Sequence, residues 1–252
     1  MAKIIAVANQ KGGVGKTTSA VNLTAALSLM GKRVLLVDCD PQGNASSGMG
    51  VSKSTRPNSY DMLIAETPAA DCVVSTPYGD VIPASKELAA ASVELIQAER
   101  RERVLKEALT PLFSEYDYML IDCPPSLELL TVNALTAADS VLIPMQCEYY
   151  ALEGIADLLT SIRICSRRLN RRLSVEGIIL TMYDARANLT QQVANELRKH
   201  MPDKVYNTVI PRSVRLSEAP SHGQPGVVYD RVNKGSKAYM SLAAEFLARN
   251  EK

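Results

Sequence analysis

The chain has 252 residues, 28 Lys and Arg against 27 Asp and Glu, and a hydrophobic fraction of 46%, enough for a sizeable core and too much for a mainly disordered protein. With 13 Gly, 13 Pro and no low-complexity segment, collagen-like and linker-rich classes are excluded. No run nears the roughly 20 apolar residues of a membrane-spanning helix.

Residues 1–5 lead straight into an apolar run with no secretory cleavage pattern, so the expectation is a cytoplasmic protein. Cys39, Cys72, Cys123, Cys147 and Cys165 are odd in number and lack C-x-x-C spacing. They read as buried thiols, not as disulfide or zinc ligands.

Taken in order, the chain opens on a strand at 4–8 and a helix at 16–30, which Gly31 closes as a C-terminal cap. Strands follow at 34–38 and 81–83, then a helix at 85–110, a strand at 118–122 and a helix at 127–138. A strand at 140–144, a helix at 151–169, a strand at 177–182, a helix at 189–200, a strand at 205–210 and a helix at 236–249 complete the series. Several strands are apolar without period-two alternation, as in a parallel sheet covered on both faces. The fold class is therefore α/β: one domain over 1–252, with a mainly parallel central sheet flanked by helices. The start at Met1, so close to the first strand, leaves no N-terminal helix-turn-helix domain in this expectation.

Between the first strand and the first helix lies Lys11-Gly12-Gly13-Val14-Gly15-Lys16-Thr17-Thr18. Glycines here let backbone N–H groups turn inward around phosphate oxygens, and the helix start adds its positive dipole end. Lys16 would reach the β- and γ-phosphates and the Thr17 hydroxyl would ligate Mg²⁺. The regular phosphate-loop pattern puts its first Gly where Gln10 stands, so this loop is a variant. Two later strands end in carboxylates, Asp38 followed by Asp40, and Asp122. Strand carboxyl ends are where α/β folds hold ligands. Asp122 has the form of a Walker-B residue, Asp38 could join the same metal shell or merely cap a helix, and Asp40 is placed to orient or deprotonate the attacking water.

Charge is uneven. Residues 1–162 carry 12 Lys and Arg against 19 Asp and Glu, whereas 163–252 carry 16 against 8. No acid occurs over 158–175, and Arg163, Arg167 and Arg171 share one face at helical spacing, beside Arg168 and Arg172. Two readings are open: a surface for a polyanion, or a solvated helix end paired with acids of the N-terminal part. Aromatic residues are 5% with no Trp, which favours duplex phosphate contact over stacking on single strands.

The lysine-preceded loop, the run 38–46 from Asp38 to Ser46, the run 121–127 around Asp122 and the run 212–223 from Arg212 to Gly223 together resemble the ParA/Soj partitioning ATPases, with a deviant Walker A motif. The similarity spans nearly the whole chain. It implies the P-loop NTPase fold, ATP and Mg²⁺ as cofactors, and an ATP-dependent homodimer. It also implies non-specific binding to double-stranded DNA, residence on the nucleoid, no membrane partner, and hydrolysis triggered by a ParB/Spo0J-type centromere-binding protein. By the same resemblance Lys11 would cross a two-fold interface to the partner's phosphates, and Glu148 would contact the ribose there, although a loop carboxylate at a helix start is as good an account of Glu148. Arg186 and Arg215 match DNA-contacting arginines set in loops after strands. Pro211 matches an adenine contact, with Met182 flanking the base or simply filling core. With no identifiable cis arginine finger, unassisted hydrolysis should be slow. The alternative is a MinD-like or other cargo-positioning ATPase that works as a nucleotide-gated interaction module.

Overall fold

The computed structural model describes residues 1–149 and 151–251. In chain order the elements are β1 (Lys3–Val7), α1 (Lys16–Leu29), β2 (Val34–Asp38), α2 (Asn44–Gly48), α3 (Ser59–Ile64), β3 (Val74–Thr76), β4 (Gly79–Ile82), α4 (Leu88–Glu94) and α5 (Val104–Leu109). Then come β5 (Tyr118–Asp122), α6 (Leu129–Ala137), β6 (Ser140–Gln146), α7 (Ala151–Arg168), β7 (Ser174–Thr181), α8 (Asn188–His200), α9 (Val214–Glu218), α10 (Gly226–Tyr229) and α11 (Lys234–Asn250).

The seven strands form one sheet in the order β3-β4-β2-β5-β1-β6-β7. All pairings are parallel except β3 with β4. β2 and β5 are buried at every position. Alternate side chains of one strand serve two cores: Ile4 and Ala6 pack with the helices of one face, Ile5 and Val7 with α1 and α11 on the other. Covering both faces is what makes these strands read as continuous apolar runs. The register pairs Val7 with Asp122 and Asp38 with Asp122, so the loop after β1 and the two carboxylate-tipped strands meet at the carboxyl end of the central strands.

Three expected elements differ. The helix at 85–110 is broken into α4, a 3₁₀ turn at Leu95–Gln97 and α5. The polar stretch after the turn gives a continuous helix nothing to bury, and Asn133 of α6 satisfies the break instead. Its side chain donates to the Arg101 carbonyl at 2.8 Å and accepts the Leu105 N–H at 3.1 Å.

The expected strand at 205–210 is not a continuous one: it meets β7 at an isolated bridge, Ile178–Val205, and through the Tyr206 and Ile210 N–H groups, which donate to the Ile178 and Leu180 carbonyls at 2.9 and 2.8 Å. Between them the N–H groups of Asn207 and Thr208 donate to the Glu245 carboxylate at 2.8 and 2.9 Å, so the ladder is not continued. Gly177 permits the close approach there, since a Cβ on it would lie 2.5 Å from the Tyr206 ring.

Finally, α7 stops at Arg168, which leaves Arg171 off its helical face. Buried Asn170 ends the helix by donating to the Leu135 and Ala138 carbonyls at 3.1 and 2.6 Å. The expected strand at 81–83 is β4, and β3 with the short helices α2, α3, α9 and α10 adds to the expected series. All five cysteines are free and buried, and among the described residues no helix is long and apolar enough to cross a membrane.

Candidate active site

The loop after β1 turns through left-handed backbone at Gly13 (φ +74°) and Gly15 (φ +88°), the latter immediately before α1. Glycine alone takes that conformation without strain. A Cβ at Gly12 or Gly13 would meet nothing within 4 Å, so both glycines border open space. Both limbs are pinned. Asn9 donates to the Pro144 carbonyl at 2.8 Å and accepts the Lys11 N–H at 3.1 Å, and the Thr181 hydroxyl donates to the Val14 carbonyl at 2.8 Å. Neither residue stands out in the sequence, because one polar residue at the tip of an apolar strand carries no signature.

The two lysines of the loop behave differently. Lys16 is only 7% exposed and its ammonium donates to the Lys11 carbonyl at 3.0 Å, arching over the loop. Burial lowers its pKa, while the charges of Asp122 and Asp40 hold it up. The Lys11 side chain is half-exposed and pairs with Glu148, beyond the end of β6.

Three carboxylates lie at or just beyond the ends of β2 and β5. Asp122 is fully buried and neither of its oxygens has a hydrogen-bond partner among the described residues. Burial raises its pKa well above the ordinary carboxylate value, the charge of Asp38 adds to the rise, and the nearby Thr17 hydroxyl and Lys16 offset only part. A buried carboxylate without a partner is costly and favours a cation beside it.

Asp38 differs. It accepts the Ser46 N–H at 2.8 Å, the Ser46 hydroxyl at 2.7 Å and the Asp40 N–H at 3.1 Å, filling most of its roughly four acceptor sites. It therefore clamps the loop between β2 and α2, and Asp122 keeps the free lone pairs. Asp40, 8% exposed, accepts the Gln42 N–H at 2.9 Å through one oxygen.

Burial pushes Asp38 from its ordinary 3.8 up to about 6, against the pull of its hydrogen bonds. Folding then takes up a proton between about pH 4 and 6, and the contribution of this group to stability falls as pH rises through that window. We expect wild type to lose stability relative to Asp38→Asn from about pH 4 to 6, measured by urea unfolding without magnesium. A difference that stays constant over this range would refute the shift.

Met182 and Pro211 come together. Met182 follows β7 with φ +48° and lines, with Pro211, Gly15 and Thr18, a cavity of about 100 Å³ at the start of α1. Arg186 lies in the turn beyond, 91% exposed, paired with Asp184 at 3.1 Å. Arg215 is on a helix, α9, not in a loop, and pairs with Glu218 at 2.9 Å and Asp230 at 3.5 Å. Asn22 joins this segment to α1, donating to the Thr18 carbonyl at 2.8 Å and accepting the Val227 N–H at 3.0 Å. Arg163, Arg167, Arg168, Arg171 and Arg172 are exposed. Among the described residues none of them has an ion pair, so acids of the N-terminal part do not neutralise them.

Residues 2–175 match the AAA domain family. The sporulation initiation inhibitor protein Soj of Bacillus subtilis (strain 168) is 55% identical over 251 residues, covering 98% of this chain and 99% of Soj. The chain belongs to the ParA/Soj family of partitioning ATPases. The chromosome partitioning protein ParA of Caulobacter vibrioides is 51% identical, over 98% of this chain and 94% of its own. Cobyrinic acid a,c-diamide synthase of Mycobacterium smegmatis, with a bound ATP analogue and magnesium, superposes with a TM-score of 0.88 at 33% identity, covering 100% and 97% of the two chains.

The ParA/Soj loop fits such ligands. It offers open space beside Gly12 and Gly13, the buried Lys16, the Thr17 hydroxyl and an Asp122 carboxylate with no hydrogen-bond partner among the described residues. Among the described residues no three His, Cys, Asp or Glu side chains converge into a metal cage. Mg²⁺ keeps waters and takes one or two protein groups with substrate phosphates, which the Thr17 hydroxyl and the Asp122 carboxylate can supply.

Proposed function

We propose that the protein is a DNA-segregation ATPase whose ATP-bound form is a homodimer that binds double-stranded DNA without sequence preference on the nucleoid. Its hydrolysis is slow until a ParB/Spo0J-type partner accelerates it. ATP and Mg²⁺ are its cofactors. Gly12 to Thr18 surround the phosphates, Thr17 and Asp122 hold the metal, Asp38 supports it from behind, and Met182 and Pro211 flank the base. Mg²⁺ supplies charge neutralisation at the transferring phosphoryl group. Asp40, with one oxygen uncommitted, orients the attacking water.

The observation that carries the dimer is the division of labour between the lysines. Lys16 already occupies the inside of the loop, while the Lys11 ammonium projects outward to Glu148 at the mouth. An ammonium there is free to exchange one carboxylate for the phosphates of a facing copy, and two-fold symmetry uses it twice. Lys11→Ala should weaken ATP-dependent dimerisation by about 100-fold while Mg-ATP binding persists, measured by sedimentation with ATP, with ADP and without nucleotide. Unchanged dimerisation in the variant, or the same monomer in all three conditions for wild type, would sink this proposal.

DNA contact is assigned to Arg186 and Arg215, with Arg163, Arg167 and Arg171 extending the positive surface. Phosphates would replace the carboxylates of Asp184, Glu218 and Asp230 around the first two, which predicts steep salt dependence.

A further inference from the structure

On the face of the sheet opposite α1 lies an open groove of about 810 Å³ between α3, α4 and α5. Its floor is apolar: Met62 and Leu63 from α3, Leu95 from the turn after α4, and Val104 and Ala108 from α5. Its polar lining carries four carboxylates, Glu66, Glu94, Glu99 and Glu107, and no lysine or arginine. Glu94 accepts the Tyr60 hydroxyl at 3.2 Å. Glu99 and Glu107 are exposed and have no ion pair among the described residues. Just outside the groove Val93 and Ile96 are 68% and 50% exposed. An apolar floor rimmed by one sign of charge is the complement of an amphipathic helix with a basic border.

One wall of the groove is tied to the chemistry. α3 begins at Ser59, after Asn58, whose side chain accepts the Tyr60 N–H at 2.9 Å while Asp61 accepts the Asn58 N–H at 2.9 Å, a reciprocal cap. The buried Ser59 hydroxyl lies 2.6 Å from the Asp38 carbonyl and 2.9 Å from that of Pro83. A load on Met62 and Leu63 therefore reaches the end of β2, from which Asp38 and Asp40 project, through one short helix and one hydrogen bond.

We propose that this groove docks a basic amphipathic helix of a protein partner and that Ser59 is the positioning residue through which docking acts on Asp38 and Asp40. The docking stands on the groove alone, whereas the effect on hydrolysis rests on the ATPase function proposed above.

The probe is a labelled synthetic peptide of roughly 15 residues, about four helical turns, with leucines at helical spacing and lysines at the remaining positions. A twin with glutamate for lysine is the control. Fluorescence anisotropy without nucleotide should show saturable binding of the lysine peptide, weakened about tenfold or more in the Glu99→Lys, Glu107→Lys double variant and absent for the glutamate twin. With Mg-ATP present, the peptide should accelerate phosphate release by wild type, and Ser59→Ala should keep peptide affinity but lose the acceleration.

No saturable binding up to about 1 mM, or equal affinity for the double variant, overturns the docking site. Nucleotide-independent self-association that the charge reversals abolish overturns it in favour of a second copy. Acceleration that survives Ser59→Ala overturns the coupling. A protein that binds the peptide but fails to dimerise with ATP would leave the groove standing and remove the function proposed above.

Discussion

Replacing Asp40 with alanine is expected to lower ATP turnover by about 10²- to 10⁴-fold, the usual worth of a positioned general base, with Mg-ATP binding and dimerisation kept. Asp40 is almost buried, yet one of its oxygens has no fixed task, the other holding the Gln42 N–H at 2.9 Å. Its position is set by Asp38 beneath it, which accepts the Asp40 N–H at 3.1 Å and pins the far end of the same loop through Ser46. The substitution removes the reactive carboxylate and leaves this scaffold in place. Steady-state phosphate release and single-turnover kinetics separate the outcomes: normal single-turnover hydrolysis in Asp40→Ala would show that another group positions the water.

Asp122→Asn should act in opposite directions on stability and on chemistry. Both oxygens of Asp122 are buried and lack a hydrogen-bond partner among the described residues, and burial raises its pKa with Asp38 adding like charge. Removing the ionisable group should stabilise the nucleotide-free protein by about 1–3 kcal/mol at alkaline pH, because the neutral amide avoids the extra cost of a buried charge. The sign follows from linkage. A carboxylate whose folded pKa is raised weakens the fold once pH exceeds the unfolded value, so the gain grows with pH. In the same variant, magnesium-dependent ATP hydrolysis should fall by about 100-fold or more, because the metal loses its anionic support. Urea unfolding at several pH values and a magnesium titration of turnover test the two halves independently. A less stable variant, or one with unchanged magnesium dependence, would contradict the role given to this carboxylate.

What the sequence discloses depends on whether the cause is local. The phosphate loop is legible because three glycines, two lysines and two threonines between an apolar strand and a helix satisfy one local demand. Asp38 and Asp122 are legible as strand tips, and the sheet register does bring them side by side. Their different states are not legible, since the bonds that occupy Asp38 come from Ser46, eight residues away, and nothing in the pattern distinguishes it from the unpartnered Asp122.

The misread segment at 205–210 has the composition of a strand, but its ladder is interrupted by Glu245, 37 and 38 positions further on. Asn133 likewise determines the break before α5 from 28 positions away. Arg171 shares a face with Arg163 only if the helix continues, and buried Asn170 stops it. The acidic groove is not legible at all, because α3, α4 and α5 meet only in three dimensions.

The way the sheet is bordered limits how copies of this molecule can add to one another. β3, at one margin, has three residues, too few to template a further strand. At the other margin the stretch 205–211 lies along β7, with Glu245 occupying backbone groups that a foreign chain would seek. Amyloid-like stacking through exposed backbone is thereby discouraged on both flanks. Contact between copies is left to side-chain surfaces, which can come apart without unpicking a backbone ladder.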